Sequence, residues 1–258
     1  MQKNKIILRF LLAILFVFYS SAHALEITKN EQNHIVLEGK VERGDYAKLS
    51  LYLRNKYTSL PFVLNKIILN SPGGDVAEAL LISNLIKTAS GFTKVPEGGV
   101  CFSACFIIWS GGVMREVEKD AKLGVHRMTL SNENASVLKA EKIIKPLSNA
   151  VESYLLDVGI PRVIVDKMNE TPPSDLFLMD LKWLMRNNLD YATNFSPYFI
   201  DVAEKKCGEN AYVKFRKGDS SITGIELGQW MTCVNEFRKQ NAMDNFVEFI
   251  NLIAPKKK

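Results

Sequence analysis

The sequence predicts an α/β protein, a series of βαβ units forming a largely parallel sheet packed with helices, followed by a helical appendage. Short β-branched apolar runs alternate with helix-length segments whose apolar residues recur at helical spacing, as far as about residue 195. Two glycine turns punctuate the series: Ser71-Pro72-Gly73-Gly74 ends one strand, and Gly98-Gly99 leads into an apolar helix with Ser103 near its start. From about Ser196 the alternation stops, which separates residues 25–195 from a C-terminal extension over 196–258.

Residues 1–24 read as a targeting signal. Lys3, Lys5 and Arg9 precede an apolar run from Phe10 to Tyr19, and Ala22-His23-Ala24 supplies a small-x-small cleavage pattern. An uncleaved membrane anchor is the rival reading, disfavoured because the run is short for a span. The expected location is a periplasm or the cell exterior. Of the formal charge of +5, three belong to Lys3, Lys5 and Arg9, leaving about +2. Such a balance, without clustered basic residues, argues against a nucleic-acid partner.

Each element has its own signal. His34 to Gly39 reads as a strand, Asp45 to Asn55 as a helix, and Phe62 to Leu69 as a buried strand. Ala77, Leu80, Leu81, Leu85 and Ile86 mark a helix over Val76 to Ala89, stopped by Gly91. Phe92 to Val95 is a short strand, Ser103 to Trp109 an apolar helix ended by Gly111-Gly112, and Leu123 to His126 another strand. A long helix over Ala135 to Val158 should kink or break at Pro146. Pro161 opens the next helix, and Asp180 caps one over Leu181 to Asn187. Near the C-terminus, Asn245 to Ile253 is an apolar helix.

Four cysteines lie beyond the leader, in a compartment where disulfides persist. Cys207 and Cys233 are expected to pair. Cys101 and Cys105 flank Ser103 at a spacing that permits a strained bridge or two buried thiols packing a helix.

The chemistry-bearing residues are few. Beyond the leader only His34 and His126 remain, and His126 closes a strand 23 residues after Ser103. A serine at a helix start, a glycine turn and a histidine are the parts of an acyl-transfer site. Ala104 N–H is an unpaired helix-terminal donor, and the Gly73-Gly74 turn can bring a second amide close to a substrate oxygen. Taken singly, each motif is equally well a cap, a turn or a loop contact. No metal is expected: there is no His-Glu-x-x-His and no Cys-x-x-Cys.

As an ordered set, these residues resemble the ClpP-like serine peptidases of the ClpP/crotonase superfamily, and more closely their exported relatives. The resemblance spans roughly Ile35 to Tyr191. It rests on Ser71-Pro72-Gly73-Gly74, on Ser103 through Gly112, and on Gly124-Val125-His126. It implies a spiral of βαβ units, Ser103 as nucleophile, His126 as base, and Gly74 and Ala104 as oxyanion-hole amides. The third triad member falls best on Asp175, with Asp166 and Asp180 as competitors. It further implies a peptide or unfolded-protein substrate, needs no cofactor, and allows a homo-oligomer. The cysteines around Ser103 and the C-terminal extension depart from the family pattern. An ATPase partner is not expected, because an exported compartment lacks ATP.

The function expected is therefore an exported, ATP-independent serine peptidase-like hydrolase with a Ser103–His126–Asp175 triad. A crotonase-type acyl-CoA enzyme is disfavoured by export, and a Ser–Lys peptidase by the presence of His126. The main alternative is a catalytically inactive binding or assembly protein of the cell envelope on the same fold.

Overall fold

Along Lys66–Asn70 burial alternates with residue parity, so Ile67 and Leu69 point into the core. In the computed structural model, which describes residues 24–56, 66–129, 137–187, 196–216 and 218–254, this strand is the centre of a five-stranded sheet. In chain order the strands are β1 (Glu26–Lys29), β2 (Ile35–Glu38), β3 (Lys66–Asn70), β4 (Phe92–Val95), β5 (Val100–Phe102), β6 (Met114–Val117), β7 (Lys122–Val125) and β8 (Phe177–Asp180). The larger sheet runs β1-β2-β3-β4-β6, parallel except for the β1–β2 edge. A smaller sheet, β5-β7-β8, pairs β5 and β7 parallel and sets β8 antiparallel, with Val125 opposite Phe177. The parallel βαβ series expected from the alternation is therefore present, split over two sheets. Residues 62–65 of the expected strand lie outside the described residues.

Helices α1 (Asp45–Lys56), α2 (Val76–Thr88) and α3 (Ala104–Ser110) follow β2, β3 and β5. Asp75 caps α2 by accepting from Glu78 N–H at 3.0 Å. Every residue of α3 is buried, and α2 lies close against it. The approach needs a glycine: a Cβ on Gly111 would lie 2.4 Å from the Ser83 carbonyl oxygen. Ser83 Oγ donates to the Ile107 carbonyl at 2.5 Å, which ties the two helices by a polar contact as well.

The long helix α4 (Val137–Asp157) passes through Pro146 as one element, so the expected break does not occur. Its expected start at Ala135 lies outside the described residues. Helix α5 (Arg162–Glu170) begins directly after Pro161, and α6 (Leu181–Arg186) is capped by Asp180, which accepts from Trp183 N–H at 2.6 Å.

After Ser196 the chain is helical: α7 (Pro197–Cys207), α8 (Ala211–Arg216), α9 (Gly224–Asp244) and α10 (Phe246–Ile253). Phe199, Ala203, Trp230 and Val234 bury against Val113 and Met114 beside β6. Cys207 and Cys233 are bridged, with Cα atoms 5.8 Å apart. Closing a loop of that length stabilises by roughly 3 kcal/mol in the chain-entropy model. Arg238 reaches back to donate to the Ser90 carbonyl at 3.0 Å. Helix α10 places Phe249 and Ile253 in the main core, and the Tyr46 hydroxyl donates to the Leu252 carbonyl. Among the described residues no helix is long and apolar enough to cross a membrane.

The imidazole of His34, just before β2, has its pKa held below 6.5 by burial first and then by Lys66 and Lys94. The unfolded chain therefore takes up this proton before the folded one does. Stability from this group is present above about pH 6.5 and is lost as pH falls through the lower folded value. The urea midpoint is expected to drop between about pH 7 and 5, and by less in His34→Gln. An equal drop in both proteins would assign the effect elsewhere.

Candidate active site

The two sheets meet at Ser71, where the first glycine turn begins. Ser71 N–H donates to the Val100 carbonyl at 2.8 Å, and Phe102 N–H donates to the Ser71 carbonyl at 3.0 Å. The end of β3 thus lies alongside β5, and immediately after β5 the chain reverses at Ser103.

Ser103 has φ 54° and ψ −119°, a left-handed conformation that costs a non-glycine residue about 1–3 kcal/mol. It is held there by its own N–H, which donates to the Gly124 carbonyl on β7 at 2.7 Å, and by its carbonyl, which accepts from Phe106 N–H at 2.9 Å. Ser103 occupies the N-cap position of α3, yet its side chain makes no capping hydrogen bond. Helix capping therefore does not account for the serine. A strained strand-turn-helix junction that lifts a hydroxyl away from its helix is the local geometry of a nucleophile elbow.

Gly73 packs on this junction. A Cβ there would lie 2.5 Å from the Phe102 carbonyl oxygen, 2.8 Å from Ser103 Cβ and 3.0 Å from Ala104 N. The Gly73 amide is engaged, donating to Ser71 Oγ at 3.1 Å. On either side of Gly74, Val41 N–H donates to the Gly73 carbonyl and Asp75 N–H to the Val41 carbonyl, each at 2.8 Å. Among the described residues the Gly74 and Ala104 amides have no protein acceptor. Of the two glycines, Gly74 is thus the one with a donor to offer.

His126 follows β7 and is half-buried. Its Nδ1 lies 2.9 Å from the Arg127 carbonyl oxygen. A carbonyl only accepts, so Nδ1 is the donor here, and in the neutral ring this is the tautomer that leaves Nε2 as the acceptor a general base needs. Arg127 N–H donates to the Thr171 carbonyl at 2.8 Å, which lays the loop after α5 beside the histidine.

Ser103 and His126 line the same small cavity, about 30 Å³, walled by Val76, Ile107, Val151 and Met168. That is room for one or two waters or a short apolar side chain. Both residues also border a cleft of about 680 Å³ that runs over Lys40 to Arg43, Gly74 and Asp75. The small cavity combines apolar walls with Ser103, His126, Ser148 and Asn169, and the walls of the cleft are mixed in charge.

Asp175 has an exposed side chain, accepts from Ser174 Oγ at 3.4 Å, and lines neither space. Asp166 is exposed on α5, and Asp180 is engaged as the cap of α6. Asn169 does line the small cavity with Ser103 and His126, and its Nδ2 donates to Glu152 Oε2 at 3.2 Å. Arg162 and then Asn169 hold the Glu152 carboxyl below its usual range. A sequence reading restricted to acids as the third triad member does not reach this amide. Its place in the last turn of the helix before the His126-adjacent loop was the available signal.

Cys101 and Cys105, whose state the sequence left open, are bridged, with Cα atoms 5.1 Å apart and both residues fully buried. Among the described residues no cluster of His, Cys, Asp or Glu could hold a metal.

No family model and no curated protein matches the chain. Among solved structures, the chain is structurally similar to ClpP-fold proteins. A mutant of the membrane-bound stomatin-specific protease 1510-N aligns at 18% identity over 60% of this chain and 74% of that one, with a TM-score of 0.45. Another mutant of the same protease, in complex with a substrate peptide, aligns at 17% identity over 60% and 70%, with a TM-score of 0.45. A mutant of ClpP1 from Listeria monocytogenes aligns at 18% identity over 60% and 86%, with a TM-score of 0.42.

Proposed function

We propose that the protein is an exported, ATP-independent serine peptidase-like hydrolase acting on peptides or unfolded protein. The observation that carries this reading is the uncapped Ser103 on a strained junction, lining one cavity with His126, whose Nδ1 is engaged by the Arg127 carbonyl. In the proposed step, His126 Nε2 takes the Ser103 proton as Oγ bonds to the scissile carbonyl carbon. The carbonyl electron pair moves onto oxygen, where the Gly74 and Ala104 amides meet the negative charge. Collapse expels the amine, which receives the proton from His126, and water repeats the sequence to release the acid. The imidazolium is steadied by the Arg127 carbonyl and by Asp175, the acid that the family resemblance supplies.

A catalytically inactive binding or assembly protein is the second reading. It is favoured by the exposure of Asp175 outside the cavity. Fluorophosphonate labelling of the intact protein separates the two. Covalent modification at Ser103, lost in His126→Ala, supports the hydrolase; no modification under any condition supports the binding protein. Asp175→Asn is expected to slow labelling by a smaller factor than His126→Ala, and an unchanged rate removes Asp175 from the site.

A further inference from the structure

We infer that the Cys101–Cys105 bridge is a positioning device that holds Ser103 in its left-handed conformation. The hydrolase reading supplies the meaning of that conformation, but the geometric claim stands apart from it. The bridge joins the residue two before Ser103 to the residue two after it, one in β5 and the other in α3. Residues 101–105 thereby form a closed ring with the strained serine at its centre.

Ser103 has two ways to relieve a φ of 54°. Relaxing to an extended conformation would draw the five-residue stretch out toward about 13 Å end to end. The bridge keeps those ends at 5.1 Å and so closes that route. Relaxing to a helical conformation would keep the ends near about 6 Å but would wind α3 back into β5. Pairing of Cys101 with Leu123 and of Phe102 with Gly124 opposes it. The bridge and the strand pairing therefore block complementary escapes. The Ser103 hydrogen bonds to Gly124 and Phe106 hold only the conformation that remains.

Both cysteines are fully buried and belong to the main hydrophobic core. A reductant meets neither sulfur in the folded protein, so the bridge acts as a permanent staple set during folding. The other bridge, Cys207–Cys233, lies within the C-terminal helices and serves as the internal control.

The test compares Cys101→Ala/Cys105→Ala with Cys207→Ala/Cys233→Ala, well below their melting temperatures. Two readouts are used: the rate of fluorophosphonate labelling at Ser103, and amide hydrogen exchange in peptides spanning residues 101–107. Loss of the 101–105 bridge is expected to slow labelling tenfold or more and to speed exchange in that segment. Loss of the other bridge should lower the melting temperature and leave both local readouts at wild-type values. Wild-type labelling and wild-type exchange in Cys101→Ala/Cys105→Ala overturn the inference. If wild-type protein is never labelled, the hydrolase reading fails, and exchange alone decides the staple. If Cys101→Ala/Cys105→Ala does not fold, the remaining bridge of Cys207→Ala/Cys233→Ala is reduced by a phosphine in mild denaturant. Exchange at 101–107 after return to native buffer then decides, with recovery on reoxidation expected and unchanged protection overturning the claim.

Discussion

Ser103→Ala is expected to abolish hydrolysis and probe labelling while leaving the fold intact. In a serine hydrolase the loss of the nucleophile costs on the order of 10⁶-fold in kcat. The substitution removes one hydroxyl that caps nothing, so the melting temperature should stay close to wild type. Ser103→Gly gives the complementary signature. Glycine adopts φ 54° without the non-glycine penalty, so this variant should be equally inactive but about 1 kcal/mol more stable, after allowing for the extra backbone entropy glycine loses. Urea denaturation of the three proteins makes the comparison. A Ser103→Gly protein less stable than Ser103→Ala would mean that the left-handed junction is not under strain.

Gly74→Val carries the second large effect, for a reason that lies in the backbone packing. The sequence places the Gly73-Gly74 turn near a substrate oxygen, where a side chain on Gly74 would be expected to crowd the oxyanion. In the fold, a Cβ at Gly74 points instead at the neighbouring chain, 2.0 Å from the Val41 carbonyl oxygen and 2.8 Å from its carbon, at φ 144°. Neither atom can move without breaking the hydrogen bonds that Val41 makes on both sides of Gly74. The turn must shift, and the free Gly74 amide shifts with it. Labelling at Ser103 should fall by about 100- to 1,000-fold, the usual cost of one oxyanion donor, together with a clear loss of stability. Gly98→Ala is the control: its Cβ would meet nothing within 4 Å, so only the positive φ is penalised. Equal labelling in Gly74→Val and wild type would remove Gly74 from the site.

The parallel βαβ series is legible in the sequence because short apolar runs alternate with helix-length segments. Of the residues read as the apolar face of α2, however, Leu85 and Ile86 are buried while Ala77 and Leu81 are exposed. The sequence hid β6, whose Met114-Arg115-Glu116-Val117 looks polar. Arg115 is nonetheless buried, donating to the Gly112 and Val158 carbonyls at 2.8 and 2.6 Å, and burial pulls its pKa down to about 10. A buried guanidinium capped by carbonyls leaves no trace in a hydropathy pattern. Helix α9 was hidden in the same way, since its buried line of Trp230, Val234, Arg238 and Ala242 includes a charge. At the site, Ser103, His126 and the glycine turns stood out because each is an unusual residue at a strand end. Asn169 did not, because a neutral amide at the end of a helix reads as surface. The state of Cys101 and Cys105 could not be read either. It depends on the chain turning at Ser103, and that turn is set by Gly73 and Gly124 from elsewhere in the chain.

Helix α10 has a bearing on how the molecule is made. Phe249 and Ile253 fill the core against α1 and α2, and Tyr46 closes on Leu252 at a sequence separation of 206 residues. During synthesis the early βαβ units leave the ribosome first, but the floor of their core is missing until residues 246–253 follow. Contacts so distant along the chain are slow to form. The nascent chain should therefore stay open until nearly all of it has been made. Under the proposed export, that delay is the interval in which the chain can still be threaded across a membrane.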